Sequence, residues 1–200
     1  MVRTGLGVDT HAFAPGRPLI LGGIDIPHEQ GLIGHSDADV LTHAVIDALL
    51  GAAGLGDIGE HFPDTDPRFK DADSLLLLRS VVAHLAERGV AIGNVDATVV
   101  LERPKLAPYR DAIRDALAGA LGLPRAAVSV KATTGEGLGF IGRGEGAAAL
   151  AVATVEERAG GGAAPVGPVR FEQVRAIFVT YLLTIVAGLA YFTIIGLTHH

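Results

Sequence analysis

The chain has 200 residues, a formal net charge of −6, 49% hydrophobic and 19% charged residues, and no cysteine. The negative charge argues against a general nucleic-acid binder, and the apolar content argues against a disordered chain. Without cysteine, disulfides and thiolate metal sites are excluded, so a bound metal must use His, Asp, Glu or water.

Residues 2–9 alternate weakly and predict a first strand, with no apolar signal-peptide core around them. Residues 19–26 predict a second strand, in which Gly22 and Gly23 mark a bulge or a close backbone approach. Ser36 stands as N-cap before a periodic segment, 37–50, that predicts a helix, with glycines at 51 and 54 near its end. Residues 56–66, GDIGEHFPDTD, are dense in turn formers and predict a loop. Asp73 or Ser74 opens a second helix to about Arg88, with Gly89 beyond its end. In 94–102, Val95, Ala97, Val99 and Leu101 share one face of a strand. Pro108 opens a third helix that ends near Gly122, and 128–133 is a further strand. The Ala-rich segment 146–158 reads as a fourth helix.

This order predicts an α+β fold, a two-layer α/β sandwich with a mixed sheet, over residues 1–158. Residues 159–174 are Gly-, Ala- and Pro-rich and read as a flexible linker. Residues 176–197 carry no charge, so 175–198 is expected to be a hydrophobic helix that spans a membrane. Arg170 and Arg175 on its N-terminal side would then put residues 1–158 in the cytoplasm, tethered to the membrane face.

Asp9 and His11 are two apart on a strand, so their side chains share a face. His43 lies on the first helix with Asp39 and Asp47 at i−4 and i+4. Two His and one Asp suit zinc with one open position, although a hydrogen-bonded buried histidine is the blander reading of His43. Gly34, His35, Ser36 and Asp37 stand where free amides at a helix start would suit an anion. Thr133, Thr134 and Glu136 follow the 128–133 strand; hydroxyls and amides there suit a diphosphate, and Glu136 suits Mg2+. The glycine-rich 137–146 matches neither a P-loop nor a dinucleotide fingerprint.

Taken together and in this order, GLGVDTHAF (5–13), LILGGIDIP (19–27), GLIGHSDADVLTHAVIDALLGAAGLGDIGEHFPDTDP (31–67), NVDATVVLERPKL (94–106) and VSVKATTGEGLGFIGRGEG (128–146) closely resemble the 2-C-methyl-D-erythritol 2,4-cyclodiphosphate synthase family. The resemblance implies a homotrimer with sites between neighbouring subunits. It implies a cytidine diphosphate substrate that closes to a cyclic diphosphate with release of CMP, in the non-mevalonate isoprenoid route. By the same resemblance Asp9, His11 and His43 hold Zn2+ or another divalent transition metal, and Glu136 holds Mg2+ or Mn2+. His35, Thr134 and Glu136 are the implied catalytic residues. His35 and Ser36 meet the methylerythritol phosphate, and Asp57, Gly59, Phe62, Pro63, Asp64, Thr65 and Asp66 hold the erythritol. Pro104, Lys105, Leu106, Ala132, Thr133 and Thr134 form the cytidine and diphosphate pocket. Asp47 is expected to orient His43, and Phe140 and Arg143 to line a trimer channel that meets an isoprenoid diphosphate. Thr10 replaces the family's usual Val, and Glu102-Arg103 replaces a frequent Gln and small residue. A rival reading is a non-catalytic metal- or nucleotide-binding module.

Overall fold

Alternation from Val2 onward builds a strand longer than the sequence alone suggested: β1 runs Val2–Pro15 and carries both Asp9 and His11. In the computed structural model, residues 1–157 are described; the linker and apolar segment beyond them lie outside the described residues. The remaining elements are β2 (Leu19–Leu21), β3 (Ile24–Ile26), β4 (Gln30–Leu32), α1 (Val40–Ala53), α2 (Ile58–His61), α3 (Ser74–Glu87), β5 (Val90–Val100), α4 (Arg110–Leu121), β6 (Val128–Thr133), α5 (Gly139–Gly142) and β7 (Gly146–Glu157).

Five strands form one mixed sheet in the order β4-β1-β7-β5-β6, and β2 and β3 form a separate hairpin. Among the described residues only β5 and β6 run parallel; β1 with β4, β1 with β7 and β5 with β7 are antiparallel. α1 packs on β1, β7 and β5, while α3 packs on α1 and α4 covers β6. The expected single strand over 19–26 is instead this hairpin. Gly22 and Gly23 both have positive φ, as a tight two-residue turn requires.

The 146–158 segment is not a helix. It is β7, the central strand, with Ala147, Ala149, Ala151 and Ala153 buried on alternate positions. Alanine favours helix in isolation, but here period-2 burial and pairing on both edges decide. The small residues let α1 lie close to the sheet. On β1 the same need is met by glycine: a Cβ on Gly7 would lie 1.9 Å from the Ala44 carbonyl oxygen, and one on Gly5 would lie 2.1 Å from that of Ala48. Gly5, Gly7, Asp9 and His11 therefore share the face that α1 covers, which brings α1 against the residues that follow the glycines.

The N-cap of α1 is Asp39, not Ser36. Asp39 is fully buried. One carboxylate oxygen accepts the Gly22 and Thr42 amides (2.9 and 3.0 Å) and the other accepts the Gly23 amide and the Thr42 hydroxyl (both 2.7 Å). Burial pushes its carboxyl up, against the pull of these donors. Asp39→Ala would strand several buried donors at about 1–3 kcal/mol each. We expect a loss of at least about 3 kcal/mol in denaturant unfolding; a loss below about 1 kcal/mol would show that the hairpin does not depend on this clamp.

The expected membrane-spanning helix and membrane tether require correction. Among the described residues no helix is long and apolar enough to cross a membrane. The longest, α1 and α3, have 14 residues each, about 21 Å at 1.5 Å per residue against a hydrocarbon core of about 30 Å. The 175–198 segment on which the expectation rested lies outside the described residues.

Candidate metal centre and active site

β1 and α1 bring three ligand atoms to one point. His43 Nδ1 lies 3.0 Å from Asp9 Oδ2, and His11 Nε2 lies 3.0 Å from the same oxygen. The two nitrogens are 3.3 Å apart, and all three groups fall within 4.8 Å of one another. Each imidazole is held from its far side. His11 Nδ1 is 2.6 Å from the Ile33 carbonyl, so Nδ1 donates there and Nε2 is the nitrogen turned to the shared point. Burial works against ionisation of Asp9, but the hydrogen bonds and charges of His11 and His43 outweigh it and hold the carboxyl well below the usual carboxylate range. Burial also opposes the charged form of His11, yet Asp9 and the Ile33 carbonyl raise it above the ordinary imidazole value.

Two imidazole nitrogens and one carboxylate oxygen make a donor set that suits zinc or a neighbouring transition metal, and three protein ligands leave a position open. That open side faces a cavity of about 520 Å³. Its walls include Asp9, His11, His43, His35 and Ser36, together with Gly59, Phe62, Pro63 and Asp64. Gly34, expected beside His35, also lines it, and sequence reasoning missed three further lining residues, Ile58, Phe69 and Leu77. Phe69 and Leu77 are apolar residues at ordinary core spacing, so nothing local marks them.

Other expected residues stand behind or beside this wall. The loop expected at 56–66 contains one helical turn, α2, capped by Asp57 through the Glu60 amide (3.0 Å). Asp66 caps the following short turn and pairs with Arg68, while its carbonyl meets His35 Nε2 at 3.1 Å. Thr65 is exposed and is not part of the lining. Asp47 does not orient His43 through a hydrogen bond. Its carboxylate accepts the Ile58 amide at 2.7 Å and so fixes the start of α2. Burial, with the charges of Asp57 and Asp9, raises that carboxyl. The partners of His43 Nε2 are Ser74 Oγ (2.9 Å) and Ser36 Oγ (3.1 Å).

A second cavity of about 290 Å³ gathers Pro104, Lys105, Leu106, Ala132, Thr133 and Thr134, and adds Leu101, Glu102, Ala107 and Arg110. Thr134 donates to Glu136, and Glu102 accepts the Gly135 amide at 3.0 Å. Glu136 is exposed, and among the described residues no other group joins it in a metal cluster. A lone carboxylate fits Mg2+, which keeps waters and substrate phosphates as its other ligands. Phe140 and Arg143 lie outside both cavities, and Arg143 pairs with Glu145 at 2.7 Å. One chain does not bring the two cavities together. β7 and β5 separate β1 from β6, about 14 Å at roughly 4.8 Å per strand.

Three nitrogen and oxygen donors converging beside a cavity make a candidate metal site in the pocket of an enzyme. The YgbB family model matches residues 2–156, and the chain belongs to that family. The 2-C-methyl-D-erythritol 2,4-cyclodiphosphate synthase of Salinibacter ruber is 63% identical over 155 residues, 78% of this chain and 99% of its own. That of Moorella thermoacetica is 58% identical over 160 residues, 80% of this chain and 98% of its own. A solved 2C-methyl-D-erythritol-2,4-cyclodiphosphate synthase in a CDP-bound form is similar with a TM-score of 0.71 at 40% identity, covering 77% of this chain and 100% of that one.

Proposed function

We propose that the cavity beside Asp9, His11 and His43 is where 4-diphosphocytidyl-2-C-methyl-D-erythritol 2-phosphate is cyclised to 2-C-methyl-D-erythritol 2,4-cyclodiphosphate with release of CMP, a step in isoprenoid precursor synthesis. The observation that carries this is the ligand triad opening on a cavity, in a chain 63% identical to a synthase of that name. Residues 1–158 form the catalytic domain in this reading, in keeping with a family match over 2–156.

Asp9, His11 and His43 would hold zinc and Glu136 magnesium, and when bound these cations supply charge neutralisation and polarisation at the phosphates. The chain's own residues do the positioning. His35 and Ser36 meet the 2-phosphate end. Asp57, Gly59 and the 62–66 segment hold the erythritol hydroxyls, and the Phe62 ring shields them from water. Pro104, Lys105, Leu106 and Ala132 hold the cytidine, while Thr133 and Thr134 hold the diphosphate. A 2-phosphate oxygen then attacks the β-phosphorus in line. The bond from that phosphorus to the bridging oxygen breaks, and CMP leaves with that oxygen. No protein nucleophile is needed, so orientation and charge stabilisation carry the rate.

The active assembly is a homotrimer in this reading. Two features support a shared site. The triad and the Lys105–Thr134 cavity lie three strands apart in one chain. In addition, the sheet face away from the helices exposes Leu6, Val8, Leu150 and Val152, and Leu6 pairs with Val152 and Val8 with Leu150 across β1 and β7. Such an apolar patch suits burial against other copies. Purified full-length protein with Zn2+ and Mg2+ should release CMP and cyclic diphosphate in equal amounts. Binding of the substrate without CMP release would favour a non-catalytic binding module instead.

A further inference from the structure

The hydrogen bond between Ser74 and Asp37, behind His43, runs in one direction. Asp37 accepts the Ser74 amide at 2.9 Å on one oxygen and the Asp39 amide at 3.2 Å on the other. The second oxygen also meets the Ser74 hydroxyl in a very short contact. A carboxylate that takes these amides is an acceptor throughout, so the single hydroxyl proton of Ser74 goes to Asp37. What Ser74 Oγ offers His43 is then a lone pair, at 2.9 Å from Nε2. Nε2 therefore carries a proton, because two lone pairs at that distance would repel; by the same rule Nδ1 points a proton at Asp9 Oδ2, 3.0 Å away, until a metal takes its place. Ser36 Oγ, which already accepts the Ala38 amide at 3.2 Å, lies 3.1 Å from the same nitrogen.

The Ser74 hydroxyl is not occupied in capping its own helix. Asp73 is the N-cap of α3 and takes the Leu75 amide at 2.8 Å. Ser74 is fully buried, and its hydroxyl is placed between His43 and Asp37. These residues also sit on a seam between two segments. The Asp37 amide donates to the Ala72 carbonyl (3.0 Å) and the Asp71 amide to the His35 carbonyl (2.8 Å). The seam thus joins the strip that holds Ser36 to the segment that carries Phe69 at the cavity wall.

We propose that Asp37 and Ser74 form a positioning relay that keeps a proton on His43 Nε2, so that Nδ1 is the nitrogen presented to Asp9 and His11, where a bound metal would replace its proton. The relay extends the reading of the triad as a zinc site and rests on it. It fixes which nitrogen of His43 faces the shared point, as the Ile33 carbonyl does for His11, by a different device: two side chains in series instead of one backbone acceptor. Partners of this kind, behind a metal ligand, commonly change metal affinity by about 10- to 100-fold.

The test uses full-length protein with 15N-labelled histidine. In the zinc-free wild type, long-range 1H–15N spectra should show a proton on His43 Nε2; a proton on Nδ1 alone, with Nε2 bare, would overturn the proposal. Chelator competition then measures zinc affinity. Ser74→Ala should weaken zinc binding by about 10- to 100-fold, while Ser74→Thr, which keeps the hydroxyl, should stay near wild type. Zinc binding by Ser74→Ala within twofold of wild type would overturn the relay, as would an equal loss in both variants. A wild type that binds no zinc at all would overturn the zinc site itself, a separate failure.

Discussion

His43→Ala is expected to lose zinc and turnover together while the fold persists. The substitution leaves Asp9 and His11 as a two-ligand remnant, and two-point attachment does not hold a catalytic metal. Zinc affinity should fall by at least about a hundredfold, beyond the usual effect of a supporting partner. If the metal contributes about 4 kcal/mol of charge stabilisation, CMP release falls about a thousandfold. The imidazole is mostly buried, so its removal also leaves a small cavity beside Ser36 and Ser74. Its neighbours there are polar, and the helix around it is packed by Val40, Leu41, Ala44 and Val45, so circular dichroism should change little. Stoichiometric zinc with normal CMP release in this variant would remove His43 from the metal site.

The second large effect is a gain. A His43→Ala chain keeps the Lys105–Thr134 cavity, and a Lys105→Ala chain keeps the triad. Each variant alone should be inactive. Co-expressed in equal amounts and purified together, they should recover about one quarter of wild-type activity, the value for random assortment in which each site takes its two halves from different chains. The structural motive is the separation of β1 from β6 by two intervening strands, which keeps the two cavities of one chain apart. No recovery in particles verified to contain both variants would mean that one chain supplies both halves of its own site. Light scattering of the wild type should give three chains per particle; a fully active monomer would reject sharing altogether.

The two cavities also explain why the sequence order alone gave an uneven picture of the site. Asp9 and His11 could be paired from spacing because a strand repeats every two residues. His43 joins them as a third donor of the right type, but a mid-helix histidine has no local mark, and only the resemblance chooses between a metal ligand and a hydrogen-bonded buried histidine. The Gly5 and Gly7 positions were visible as residues, yet their purpose was not: they matter because the Ala44 and Ala48 carbonyls approach within contact of where a side chain would be. Asp47 was chosen as the partner of His43 from i+4 spacing, and the structure turns it to the Ile58 amide instead. Ser74, 31 residues away in sequence, takes that place.

Local chemistry by itself determined the elements whose signals agree. α3 begins after Asp73, α4 ends at Gly122 in the left-handed conformation, and β6 occupies 128–133, because caps, glycine and β-branched residues act within a few bonds of the backbone they shape. The spacing of the candidate ligands and the absence of thiolates were equally fixed by sequence. Tertiary structure decided what no local signal carries. It made an Ala-rich segment the central strand, because burial between two neighbouring strands and under α1 outweighs alanine's helix preference. It moved the α1 cap from Ser36 to Asp39, because a buried carboxylate must find donors and the Gly22–Gly23 turn supplies two of them. It also oriented His43, because the fold places Ser74 of α3 within 2.9 Å of Nε2 and Asp9 of β1 within 3.0 Å of Nδ1.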